Sequence, residues 1–220
     1  MRTSQNEHIL EKKHAQISTI NSFVSEPISE IAFISSLYPF EHIGLKWIMS
    51  QRFCDWTEAK HKHSFDELRH GDLLLKYVQE KKLQLSSIDL FQVTQLESLT
   101  QKTTHKYLKK LFHLVLSKVY RVTSDEDKYH YSYAVLSLLI EKRLMNIYPH
   151  MQKDPAPVQL QNLMKKLVED EFEHLNMVSP EAYKLKKEGL DLSELIKIEE
   201  EYISDWYNEI SSSIQNIIVQ

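Results

Sequence analysis

The chain has 220 residues, a formal charge of −4 and a hydrophobic fraction of 42%, enough for one large domain or two small ones with a substantial core. That charge leaves no reason to expect a nucleic-acid partner. The Met1 end has no apolar signal core, and no run reaches the roughly 18 apolar residues of a membrane span. The single cysteine, Cys54, cannot close an internal disulfide, which fits a reducing compartment and a cytoplasmic location.

With only 3 Gly and 6 Pro, the chain has little turn punctuation and favours long helices. Apolar residues recur at the helical period through nearly every segment, with no alternating strand pattern. In chain order, this predicts a helix over about 4–23 broken by Pro27, a second over about 27–52 kinked at Pro39, and a third over about 56–83. "SSIDLFQVTQLES" reads as a short helix over about 86–98 with Ser86 or Ser87 as cap, and "THKYLKKLFHLVLSKVYR" as a separate apolar one. Ser124 with Asp127 makes a capping-box-like start for a helix over about 125–149. "KDPAPV" is a loop, and Pro157 suits the start of a helix over about 157–178. Ser179-Pro180 opens a short helix that Gly189 ends, and "LSELIKIEEEYISDWYNEISSSIQNIIV" supplies the last one. The expectation is a single all-α domain over 1–220.

Two stretches repeat one pattern. "SFDELRH" contains Asp66-Glu67-x-x-His70, and "VEDEFEH" contains Asp170-Glu171-x-x-His174. With 21 Glu and 11 His in the chain, about one Glu-x-x-His is expected by chance and four occur. The other two, Glu11/His14 and Glu58/His61, read as decoys. With 10 Asp, roughly 0.05 occurrences of Asp-Glu-x-x-His are expected, against two seen. On a helix, Glu at i and His at i+3 share a face, and a carboxylate beside an imidazole suits a transition metal. The second set interrupts the apolar stripe Leu160, Met164, Leu167, Val178, where unpaired charge would be costly to bury. The first continues into Leu74, Tyr77 and Val78, with His63 one turn before Glu67.

Each pair then needs a further acid from a facing helix. Antiparallel neighbours place equal heights at equal distances from their loop. Glu41 and Glu67 have their midpoint at "QRFCDW", and Glu141 and Glu171 have theirs at "HMQKDPAPV". Both acids also lie on apolar stripes: Glu41 with Ile34, Leu37, Leu45 and Ile48, and Glu141 with Ala134, Ser137, Leu144 and Met145. Glu30 competes with Glu41, but its midpoint with Glu67 falls inside a helix. The candidate metal ligands are therefore Glu41, Glu67, His70, Glu141, Glu171 and His174. Four carboxylates balance two divalent ions, and without metal they would repel one another, leaving some protonated. Mixed ligation of this kind suits iron or manganese.

Glu from two helices and Glu-x-x-His from two others resembles the ferritin-like di-iron carboxylate superfamily. "DELRH" in particular is similar to the Asp-Glu-x-Arg-His motif of bacterial multicomponent monooxygenase hydroxylases, although the second motif carries Glu173 where that motif has Arg. The resemblance implies a ferritin-like four-helix bundle with additional N-terminal, crossover and C-terminal helices. It implies Glu67 and Glu171 as bridging ligands, Glu41 and Glu141 as terminal ones, and His70 and His174 each on one metal. Asp66 and Asp170 would orient the histidines, with Arg69 beside them. The implied cofactor is two iron ions, or manganese, or a mixed Mn/Fe pair.

The expected activity is that of a di-iron oxygenase or oxidase: an O2-dependent oxidoreductase acting on a small organic substrate. Ala134 and Ser137 would leave room above Glu141 in an apolar pocket. Electrons would come from a separate reductase, since no flavin or nicotinamide glycine motif is present. An enzyme of this kind is expected as a monomer or homodimer. The alternatives are iron oxidation and storage or peroxide defence in a large hollow oligomer, a non-catalytic helical interaction protein, and a haem-oxygenase-like bundle with different ligand spacing. His63, His130 and His42 read as polar supports rather than ligands, and Tyr148 and Tyr77 as core aromatics. "IEEEY" reads as a solvated helix face, and Cys54 as a small apolar residue.

Overall fold

The computed structural model describes residues 18–23, 26–49, 57–153 and 155–218, with side-chain surroundings omitted for 42–49. Residues 18–23 are helical and bury Ile20 and Phe23. The helices that follow are α1 (Pro27–Met49), α2 (Glu58–Lys82), α3 (Ser87–Val119), α4 (Lys128–Ile147), α5 (Val158–Lys187) and α6 (Leu192–Ile218), with a 3-10 turn at Tyr148–His150 after α4. No strand occurs among the described residues, and no helix among them is long and apolar enough to cross a membrane. Most of the predicted 4–23 helix, the "QRFCDW" loop, Cys54, the pair Glu11/His14 and the His42 side chain lie outside the described residues.

Local chemistry accounts for the helix ends. Thr57 caps α2 by accepting from the Lys60 N–H at 3.4 Å. Ser86 caps α3 by accepting from the Asp89 N–H at 3.2 Å and donates to the Asp89 carboxylate at 2.7 Å. The Asp191 carboxylate accepts from the N–H groups of Ser193 and Glu194 ahead of α6. Ser124 and Asp127 pair reciprocally as the sequence suggests, but in the turn before α4 rather than on its first residue. Gly189 ends α5 with φ 104°, and the Leu190 N–H reaches back to the Leu185 carbonyl at 3.0 Å. That left-handed residue is one only glycine adopts cheaply.

Two predicted breaks are absent. The separate helices over about 86–98 and from Thr104 are one 33-residue helix, α3. Its polar interruption is satisfied by tertiary contacts: Thr100 Oγ1 donates to the Ala32 carbonyl at 3.2 Å and Thr104 Oγ1 to the Ser36 carbonyl at 2.8 Å. The break expected at 178/179 is also absent, since α5 runs through Pro180. Pro180 is on the solvent side, where losing one backbone hydrogen bond is tolerated, while Val178, Ala182 and Leu185 carry the buried stripe past it. Pro39 likewise stands inside α1 without ending it.

α1, α2, α5 and α4 pack in a closed ring, each against the next. α3 spans from α2 to α4 across the outside of α1, and α6 packs on α3. An aromatic layer fills that second seam, with Phe40 edge-on to Trp206 at 5.6 Å between centroids and the Trp206 indole N–H donating to Thr104 Oγ1 at 2.9 Å. "IEEEY" is not wholly a solvated face. Glu199 is 3% exposed, is gripped by both Nε (2.9 Å) and Nη2 of Arg143 on α4, and accepts from the Tyr107 hydroxyl at 2.6 Å. Burial of its partner Arg143 forces that acid inward.

Candidate metal centre

Inside the ring, α1 contributes Glu41, α2 contributes Glu67 and His70, α4 contributes Glu141, and α5 contributes Glu171 and His174. All six are buried, none more than 5% exposed. Among the described residues, two overlapping groups have ligand atoms mutually within 4.8 Å: His63, Glu67, Glu141 and His174, and Glu67, His70, Glu171 and His174. These buried carboxylate and imidazole groups are close enough to hold a metal ion.

Three imidazoles share one arrangement. His70 turns Nδ1 inward, 3.1 Å from Glu171 Oε1 and 3.5 Å from Glu41 Oε2, while its Nε2 faces Asp170 Oδ2 at 3.1 Å. His174 turns Nδ1 inward, 2.9 Å from Glu67 Oε1 and 3.3 Å from Glu171 Oε2, while its Nε2 stands 3.5 Å from Asp66 Oδ2. His63 turns Nε2 inward, 3.0 Å from Glu141 Oε1 and 3.3 Å from Glu67 Oε1, while Nδ1 shares a hydrogen bond with the Tyr133 hydroxyl. For His70 and His63 the outward nitrogen is hydrogen-bonded and the other lies among carboxylates, which is how ligating histidines are held, whereas the outward Nε2 of His174 only faces Asp66.

The two motifs support each other crosswise: the Asp of each faces the His of the other. Arg69 joins both aspartates, at 3.1 Å to Asp66 and 2.8 Å to Asp170. One arginine therefore suffices, and Lys62 pairs with Glu173 at the position where the second motif lacks it. Glu171 presents one oxygen to His70 and the other to His174. Inward atoms crowd without bonding: Glu41 Oε2, Glu67 Oε1, His70 Nδ1, Glu141 Oε2 and Glu171 Oε1 are all buried with no hydrogen-bond partner. Such unsatisfied atoms are costly and rare.

The electrostatics follow from crowding acids. Burial and the neighbouring Glu171, Glu141 and Glu41 carboxylates push Glu67 well above the ordinary carboxylate range. Burial and Glu171 do the same to Glu141. Burial also opposes ionisation of Glu171, but Glu141, His174 and His70 beside it more than offset that, and its pKa is lowered. For His70, burial is outweighed by the facing Glu171 and Glu41, which raise it to about 11. Burial and the nearby His174 lower His63 to about 3, so it is neutral.

These directions set a pH dependence for the metal-free chain. His70 has a raised folded pKa, so the stability it lends is complete below its ordinary 6.5 and is lost as pH rises toward about 11. Glu67 and Glu141, also raised, act in the same direction above their ordinary 4.5. The melting temperature of metal-free protein, followed by circular dichroism, is expected to fall between about pH 7 and 9. A flat or rising profile would contradict these protonation states.

Glu30 and Glu41 differ in their partners. Glu30 is buried about three turns before Glu41, where the Tyr77 hydroxyl donates to it at 2.5 Å and Lys81 lies at 3.8 Å. Glu41 faces the cluster, its other oxygen accepting from the buried Tyr148 hydroxyl. Tyr77 and Tyr148 are thus core aromatics that also hold acids. Glu58 and His61 are exposed, as expected of decoys. His130 pairs with Glu181 at 3.0 Å and with Lys60, outside the cluster. His63, expected as a polar support, turns its Nε2 inward and belongs to one of the two ligand groups. The signal was its place four residues before Glu67, on the same helix face as Glu67 and His70. Ala134 and Ser137 are buried above Glu141, with Ser137 beside the Tyr133 hydroxyl. No family model matches this chain, and neither a curated protein nor a solved structure does.

Proposed function

We propose that Glu41, Glu67, His70, Glu141, Glu171 and His174, joined by His63, hold two divalent metal ions, and that the chain is a non-haem di-iron oxidoreductase using O2. The observation that carries this reading is the set of inward, buried donor atoms without hydrogen-bond partners, with His70 and His63 anchored by their outward nitrogens. Two divalent ions would cancel the charge of four carboxylates that otherwise repel one another. The closed ring of α1, α2, α4 and α5, with α3 crossing outside it, supports a ferritin-like arrangement. Iron held there would supply O2 reduction. The protein's part is to hold the donors, keep water scarce through the apolar residues around them, and leave Ser137 as a hydroxyl near Glu141 for a small organic substrate. Electrons would come from a separate reductase.

The test is elemental analysis of protein reconstituted anaerobically with iron(II), followed by O2 uptake with a chemical reductant. Close to two iron atoms per chain and reductant-dependent O2 consumption are expected. Glu41→Ala should lose metal and Glu30→Ala should keep it. No bound metal after reconstitution would defeat the reading. Two irons in a large hollow assembly would move it to iron storage.

A further inference from the structure

The two halves of the cluster are unequal. This inference rests on the dinuclear reading above. On the α4 side, His63 Nε2, His174 Nδ1 and Glu141 converge with Glu67 Oε1 and Glu171 Oε2. That is five donors, or six with both Glu141 oxygens, enough to complete the six-fold shell that iron or manganese takes with such ligands. On the α1 side, His70 Nδ1 converges with Glu41 Oε2 and Glu171 Oε1, at 3.5 and 3.1 Å. Glu41 Oε2 is the oxygen without a partner, while its Oε1 accepts from the Tyr148 hydroxyl. Even with the second oxygen of Glu67 turned toward it, this side has four donors.

We propose that a small exogenous ligand, diatomic or anionic, binds on the His70 side, and that His63 closes the other position to it. His63 is built for that task. It is 1% exposed, and with the ring proton on Nδ1 its Nε2 carries a lone pair. The Tyr133 hydroxyl then accepts a hydrogen bond from Nδ1–H, and the same contact fixes the ring. The competing reading is that His63 Nε2–H only donates to Glu141 Oε1 at 3.0 Å and places that acid. In that case both positions would stay open to ligand.

Cobalt(II) and azide separate the two. Protein loaded with cobalt(II) is titrated with azide and followed by its visible absorption. Two cobalt and one azide per chain are expected. His63→Gly should keep two cobalt at saturating metal but bind two azides, and added imidazole should return the count to one. Two azides on the unaltered protein, or one azide on His63→Gly carrying two cobalt, would overturn the inference while leaving the dinuclear reading intact. Failure of the unaltered protein to hold two cobalt would remove the reading beneath it. Should His63→Gly not fold, the count on the unaltered protein alone still decides.

Discussion

Saturating the chain with iron(II) under anaerobic conditions is expected to raise its melting temperature by about 8–16 °C, and His174→Ala should abolish most of that gain. A ligand at about a thousand times its Kd stabilises the folded state by about 4 kcal/mol, and a chain of this size gains about 2–4 °C per kcal/mol. The gain is large because the metal-free cluster is a poor arrangement by itself. Four carboxylates are buried within reach of one another, and two of them are pushed into holding protons. His174 stands at the centre of the effect, since its Nδ1 faces both Glu67 and Glu171 and it belongs to both candidate ion groups. Removing it takes an imidazole donor from the α4 side and leaves Asp66 without the imidazole it faces. His61→Ala, on an exposed face of the same α2 helix that carries His70, should leave metal content and melting temperature nearly unchanged. An equal gain in His174→Ala, with unchanged metal content by elemental analysis, would exclude it as a ligand.

Glu199→Leu is expected to destabilise the chain by about 3–5 kcal/mol in chemical denaturation, the usual cost of breaking a buried ion pair from one side. Arg143 is 7% exposed, and Glu199 gives it two charge-assisted hydrogen bonds. Left alone, the guanidinium stays charged in a setting without water, and the Tyr107 hydroxyl loses its acceptor as well. The pair also ties α4, two residues past Glu141, to α6 and α3. Arg143→Met combined with Glu199→Leu should recover most of the loss, because the cost lies in the orphaned charge rather than in the missing attraction. Glu200→Ala, one residue along on the exposed side, should stay within about 0.5 kcal/mol of the parent. A Glu199→Leu effect no larger than that of Glu200→Ala would show that Arg143 finds water.

The division between what sequence and tertiary structure decide follows from the range of each interaction. Helical periodicity is local, so the all-helical class, the starts at Ser86 and near Pro157, and the stop at Gly189 could be read from neighbouring residues. The repeated Asp-Glu-x-x-His was also legible, because i and i+3 share a helix face whatever the helix packs against. Loop symmetry extended that reading to Glu41 and Glu141, since antiparallel neighbours keep register over a few turns.

Tertiary structure decided the rest. Glu30 and Glu41 are both buried acids on α1, and only the position of Tyr77 and Lys81 on α2 gives Glu30 partners of its own. Thr100 and Thr104 read as a break in α3 until the carbonyls of α1 meet their hydroxyls. Glu199 reads as one of three surface acids until Arg143 on another helix draws it inward. Asp66 and Asp170 each face the histidine of the other motif, a crossing that neither motif encodes by itself. His63 lies on the same face as Glu67, yet whether its inward nitrogen meets solvent or Glu141 depends on where α4 stands. In each case the sequence by itself set which chemical groups share a helix face, and the partner that satisfies each buried group came from a helix remote in the chain.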